Sequence, residues 1–168
     1  SASIAEGGSS GIFESPGTFW FSFNSAATPA NLSFDLLGFG SLDGMNGYAD
    51  LFTLTVNGIE TMFGTFNMGG GGYSLASGPA GMTWTTTTNG CAINPCTDVT
   101  WSGGKTEISI PISLLNGINK IEFTYQSLGT PFAGPQGLAD ESWSIGSYLV
   151  TAVPEPETYA MLLAGLGM

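Results

Sequence analysis

The chain has 168 residues, of which 42% are hydrophobic and only 9% charged, and a formal net charge of −11. Its two basic residues are Lys105 and Lys120, and it has no histidine. So few cations argue against nucleic acid and against anionic lipid surfaces as partners. The missing imidazole removes Ser-His-Asp and Cys-His catalysis and His-based zinc sites. Glycine (26 residues) and abundant Ser and Thr stand where charge would normally be, which points to a turn-rich all-β extracellular protein long enough to bury a core.

In chain order, the start Ser1-Ala2-Ser3 has the small residues that signal-peptide cleavage leaves. Apolar Ile4, Ile12 and Phe13 make residues 1–15 a candidate extended arm able to pack on a neighbouring subunit. Residues 18–23 form an aromatic strand, with Trp20 expected in the core. Residues 32–39 form a second strand. Residues 50–56 alternate apolar and polar, Asn57-Gly58 is a strong hairpin signal, and 59–67 run back as the partner. The run Gly69–Gly72 is followed by neither a helix nor a lysine, so it is a turn or a close backbone contact, not a phosphate cradle. Residues 73–88 hold one strand or an irregular β excursion, and 99–101 and 106–112 are further strands. Pro111 places the latter at an edge or a strand end. After an Asn116-Gly117 turn, residues 119–126 put Ile121, Phe123 and Tyr125 on one face. A Pro/Gly loop covers 128–139, and 142–153 form the last strand, with Trp143 in the core. Eight to ten strands and no long helix before residue 154 predict an all-β fold. The expected architecture is a two-sheet antiparallel β-sandwich, jelly-roll-like, over residues 1–152, followed by an apolar tail over 153–168.

Cys91 and Cys96 enclose a four-residue segment with a turn-forming Asn94-Pro95. The spacing suits a small disulfide loop in an oxidising compartment. It does not suit a redox pair or a metal site, which would need further soft ligands. Calcium takes oxygen ligands, and Asp43, Asn46 and Asp50 concentrate such oxygens in a Gly-rich turn. Asp140 and Glu141, before the last strand, are candidates to join them. The competing reading is that these residues are turn formers. Nothing in the spacing of the carboxylates pairs two of them for glycoside hydrolysis, and no catalytic residue is expected. Trp84 and Trp101 flank the cysteine loop and are candidate carbohydrate or subunit contacts. Asn31-Leu32-Ser33 is a glycosylation sequon.

The tail carries a resemblance. Val153-Pro154-Glu155-Pro156, then Tyr159, Met161, Leu162, Leu163 and Leu166 among small residues, resemble the PEP-CTERM sorting signal. Asp140 to Ile145, and Leu42 to Gly44 with Asp50 to Gly58, resemble strands of the β-sandwich domains that precede this signal. The resemblance implies an exported protein of a Gram-negative cell surface or extracellular matrix, associated with exopolysaccharide and recognised by an exosortase-type sorting enzyme. The family's Arg cluster is absent here. Eleven helical residues cover ~16 Å against ~30 Å of hydrocarbon, so this chain has no stable membrane span. The apolar tail is therefore expected to be buried, against its own domain or on the next subunit. The functional expectation is a secreted structural protein that self-assembles into a filament, a homopolymer joined by its terminal segments. The alternative is a lectin-like carbohydrate-binding module.

Overall fold

The computed structural model describes residues 3–88, 103–134, 137–138, 140–154 and 156–167. Cys91, Cys96, residues 99–101 with Trp101, and Glu155 lie outside the described residues.

Period-two alternation runs along most of the strands. β4 (Thr28–Gly40) buries Ala30, Leu32, Phe34 and Leu36 and turns Asn31, Ser33 and Asp35 away from the core. β5 (Asp50–Val56) buries Phe52, Leu54 and Val56, and β10 (Gly117–Ser127) buries Ile121, Phe123 and Tyr125. Side chains one residue apart point to opposite faces of a sheet, so each of these strands offers one apolar row to a facing sheet.

Two sheets supply the facing rows. One has the order β1 (Ser3–Gly7), β11 (Glu141–Ala152), β4, β9 (Gly103–Leu114), β8 (Thr83–Thr88), with the short β2 (Phe13–Glu14) also paired to β11. The other runs β3 (Gly17–Ser25), β10, β5, β6 (Ile59–Thr65), β7 (Leu75–Ser77). All named pairings are antiparallel. Without β2, β7 and β8, the sheets reduce to β1-β11-β4-β9 and β3-β10-β5-β6, the strand order of a jelly roll. The hairpin expected at Asn57-Gly58 joins β5 to β6, with both residues at positive φ, 51° and 80°. That is the backbone a tight type I′ turn requires.

Phe123 sits at the centre of the core, its ring 4.9 Å from Phe34 and 6.0–6.3 Å from Phe19, Phe21 and Phe52. Toward one end, Trp143 packs 5.8 Å from Tyr125 and 5.2 Å from Phe13.

Four expectations change. Trp20 is not a core residue. The inward row of β3 is filled by Phe19, Phe21 and Phe23, so Trp20 takes the opposite parity, 54% exposed, with the Lys120 ammonium 4.8 Å from its ring centre. Residues 3–14 do not form a free arm, because β1 and β2 pair in succession with β11 of the same chain. The segment 73–88 resolves into two strands, β7 on one sheet and β8 on the other. Finally, the tail does not fold back. It forms α1 (Pro156–Leu166), with Pro at its first position as helix starts favour. Met161, Leu162, Leu163 and Leu166 are exposed. The helix is apolar and has no charged residue after Glu157, so it has no polar face to oppose a buried one. Pro111 behaves as expected: β8 ends opposite Ser109, so Pro111 lies beyond it, where a missing N–H breaks no ladder bond on that side.

Two substitutions test this core. Phe123→Ala should cost about 3–5 kcal/mol, read as a large fall in the urea midpoint. Trp20→Ala should shift the same midpoint by less than about 1 kcal/mol.

Candidate metal centre

The inward rows of β5 and β11 each end in a carboxylate. Asp50 has the parity of Phe52 and Leu54, and Glu141 that of Trp143 and Ile145. The two strands belong to different sheets, so the alternation that builds the core also brings Asp50 and Glu141 face to face at one end of it. The loop from β4 to β5 supplies the third group, Asp43. One oxygen from each of Asp43, Asp50 and Glu141 lies within 4.8 Å of the other two. Their residues are 5%, 0% and 1% exposed.

The loop is tied down around them. The Asp43 N–H donates to Asp50 Oδ2 at 2.9 Å, and the Asp50 N–H donates back to the Asp43 carbonyl at 3.2 Å. Asn46 Nδ2 donates to Asp43 Oδ1 at 2.6 Å. Asn46 thus acts as a positioner of Asp43. Asp140 is drawn away from the trio: its carboxylate accepts from the Ser41 hydroxyl and its carbonyl from the Ser41 N–H. Of the five residues singled out from the sequence, three converge, one braces the cluster, and one holds the base of the loop.

Two further features shape this site. The tetraglycine run is the close backbone contact expected of it, and it lies over the carboxylates. The Gly44 N–H donates to the Gly71 carbonyl and the Gly70 N–H to the Leu42 carbonyl, at 2.9 and 3.1 Å. A Cβ at Gly70 would stand 2.4 Å from Asp43 Cγ, so only glycine fits over that carboxylate without displacing it. The second feature is Tyr125, fully buried on the inward row of β10, two residues from the partner of Asp50. Among the described residues its hydroxyl has no hydrogen-bond partner, and neither does Asp50 Oδ1. The sequence signal was available in the parity of Tyr125, which puts a phenol in line with the core at the strand end where Asp50 begins.

Burial dominates the electrostatics. It raises the Asp50 pKa from 3.8 to about 8, against the opposing hydrogen bond from the Asp43 backbone and with help from Glu141, Asp43 and Asp140. Asp43 is raised by the same cause, opposed by Asn46 and reinforced by Asp140. The Tyr125 phenol is raised well above its ordinary value by burial and by the charges of Asp50 and Asp43. No lysine relieves this. Lys105 pairs with Glu107 at 3.4 Å and Lys120 with Glu122 at 3.2 Å, both at the surface, and the chain has no other Lys or Arg. An all-oxygen, buried, acidic set matches a hard cation of the calcium type. It is closed to a polymer substrate, so the trio does not have the open carboxylate pair of a glycosidase.

Trp84 is not an exposed platform: it is half-buried on β8, its ring centre 5.5 Å from that of Phe66 in an edge-on contact, and packed against the core. Exposed aromatic side chains instead flank the acidic loop, at Tyr48 (53%) and Tyr73 (62%).

No protein-family model and no curated protein sequence matches this chain. Among solved structures it is similar to the CBM35 from Cellvibrio japonicus Abf62, with 11% identity over 84% of this chain and 69% of that one, at a TM-score of 0.41. It is also similar to a family 35 carbohydrate binding module from Clostridium thermocellum (13% identity, 83% and 73% covered, TM-score 0.40). A third likeness is to dimeric latent PorU from Porphyromonas gingivalis, with 14% identity and a TM-score of 0.48, over 84% of this chain but only 10% of that one. These likenesses concern the shape of the sandwich.

The raised Asp50 pKa predicts a pH dependence for chelator-treated protein. Between about pH 4 and pH 8 the folded state holds a proton that the unfolded chain has released. That contribution is complete below about pH 4 and is lost as pH rises through about 8. Urea unfolding in EDTA should therefore show stability falling from pH 5 to pH 8, and Asp50→Asn should flatten that fall.

Proposed function

We propose that this chain is an exported, non-catalytic β-sandwich subunit of a Gram-negative cell surface or extracellular matrix, and that it self-associates through its apolar tail. The observation that carries this reading is helix α1. It stands after the last strand with Met161, Leu162, Leu163 and Leu166 exposed by 58–75%. An apolar helix in that setting gains by leaving water, at about 25 cal/mol per Å² buried. No helix among the described residues is long and apolar enough to cross a membrane.

A receiving surface is present on the same molecule. Met45, Leu51, Phe63, Leu75 and Leu128 line an apolar depression of about 280 Å³ beside β5, β6 and β7. A tail donated by one subunit to this depression on the next is a heterologous contact, which propagates into a filament when it does not close a ring. The PEP-CTERM resemblance of residues 153–168 supports export and an exosortase-type partner for the same segment.

A second reading, a carbohydrate-binding module for exopolysaccharide, is favoured by Tyr48 and Tyr73. They stand exposed on neighbouring loops: the Tyr73 carbonyl accepts from the Met45 N–H at 2.8 Å, and the Tyr48 N–H donates to Asn46 Oδ1 at 2.7 Å. Exposed aromatic faces beside planar amides and carboxylates are the elements a sugar site uses.

Analytical ultracentrifugation and electron microscopy test the first reading. The full chain should form large species, and deletion of residues 154–168 or Phe63→Glu should leave monomers. Polymers that persist after the deletion would refute it. Polysaccharide pull-down tests the second: Tyr48→Ala with Tyr73→Ala should abolish retention of the sandwich, with its melting temperature kept within about 2 °C.

A further inference from the structure

We propose that Asp43, Asp50 and Glu141 hold one Ca²⁺, and that this ion locks the 41–50 loop and the glycine run over the end of the core. The site is independent of the tail and of the self-association assigned to it.

Geometry argues first. Calcium–oxygen distances of about 2.3–2.6 Å allow two ligand oxygens on opposite sides of one ion to stand about 4.6–5.2 Å apart. The three carboxylate oxygens, within 4.8 Å of one another, lie inside that span as folded. Mg²⁺ at about 2.0–2.1 Å demands a near-ideal octahedron and usually keeps several of its waters, whereas these three carboxylates are buried.

The unpaired oxygens argue second, and independently of the acidic residues' number. Asp50 Oδ1 and the Tyr125 hydroxyl are both fully buried, and neither has a hydrogen-bond partner among the described residues. Buried polar atoms are nearly always satisfied, and an orphan demands a cause. A proton on Asp50 would neutralise one charge of the three and leave the other two carboxylates facing each other. A cation counters all three charges and supplies the missing contact at once. The Tyr125 ring stands 5.6 Å from Phe52 and 5.8 Å from Trp143, the inward residues that follow Asp50 and Glu141 on their strands, so the phenol belongs to the same end of the core.

The surroundings argue third. Both lysines are committed to surface glutamates elsewhere. Asn46 holds Asp43 by its Oδ1, and Gly70 is packed flat against the Asp43 carboxylate. A loop shaped this closely around a carboxylate has that carboxylate as its purpose. With the ion bound, strand β5 of one sheet, strand β11 of the other and the connecting loop share one centre.

The full chain, stripped with EDTA and returned to buffer, provides the test. About 1 mM Ca²⁺ should raise its melting temperature by about 5–10 °C, and an equal concentration of Mg²⁺ should do much less. Tb³⁺, which substitutes for Ca²⁺, should show emission sensitised by Tyr125 and Trp143, and Ca²⁺ should displace it. Asp50→Asn and Glu141→Gln should each fold in EDTA, because they remove buried repulsion, yet lose both the thermal shift and the Tb³⁺ emission. Identical melting in Ca²⁺ and EDTA together with no Tb³⁺ emission would overturn the proposal. So would emission that survives in both variants, which places the ion elsewhere. An equal shift with Mg²⁺ would overturn the assignment to calcium. If either variant fails to fold, the comparison of the unaltered chain in Ca²⁺ and EDTA still decides.

Discussion

Each strand of the two facing sheets can point only alternate side chains into the core between them, and the loop end of the sandwich follows from which residues occupy those inward places. Along β5 the inward places are Asp50, Phe52, Leu54 and Val56; along β11 they begin with Glu141, Trp143 and Ile145. The apolar members of these rows meet across the gap and make the core. Their first members are carboxylates, and the same geometry forces them together. A slip of one residue in either strand would return the carboxylate to water, but it would also expose the aromatic row behind it. The core therefore holds the acidic site in place.

Such an arrangement would be hard to keep in a chain rich in lysine and arginine, because a buried carboxylate recruits whatever cation is near. Here the two lysines stand on outer faces beside their own strand's glutamates. Surface pairs of that kind contribute little to stability. The sandwich instead relies on packed rings, on hydroxyl and amide ladders such as Asn31 with Ser33 and Ser109, and on glycines that let the loops approach each other closely. The low charge noted at the outset is thus matched by the way the fold is held together.

The strands were legible wherever alternation was clean: 50–56, 119–126 and the last strand emerge nearly as expected, and the Asn57-Gly58 hairpin is present. Trp20 was misplaced because its strand is aromatic on successive residues, so bulk alone could not say which parity faces inward; the phenylalanines at 19, 21 and 23 settle it only once the facing sheet exists. The early arm was misjudged because pairing to β11 is a long-range event with no local signature. For the site, Asp43, Asp50 and Glu141 could be nominated by chemistry, yet their convergence depends on strands from different sheets. Tyr125 and Gly70 entered only through packing. The helix over 156–166 follows from Pro156 and a run of good helix formers, but its exposure is a matter of tertiary placement that the local sequence does not carry.

Strand β11 has one more role, set by where it leads. It is flanked on both sides, by β1 and β2 on one hand and β4 on the other, with its pairing to β4 running from Glu141 opposite Gly40 to Ala152 opposite Ala30. It then passes directly into the tail, the Val153 N–H still donating to the Pro29 carbonyl at 3.0 Å. Any pull transmitted through the tail acts along β11. Its ladders would be loaded in shear, many hydrogen bonds at once, and not peeled apart one by one from an edge. The tail is thus joined to the domain at a mechanically strong place, where tension is shared across the sheet before any strand can leave it.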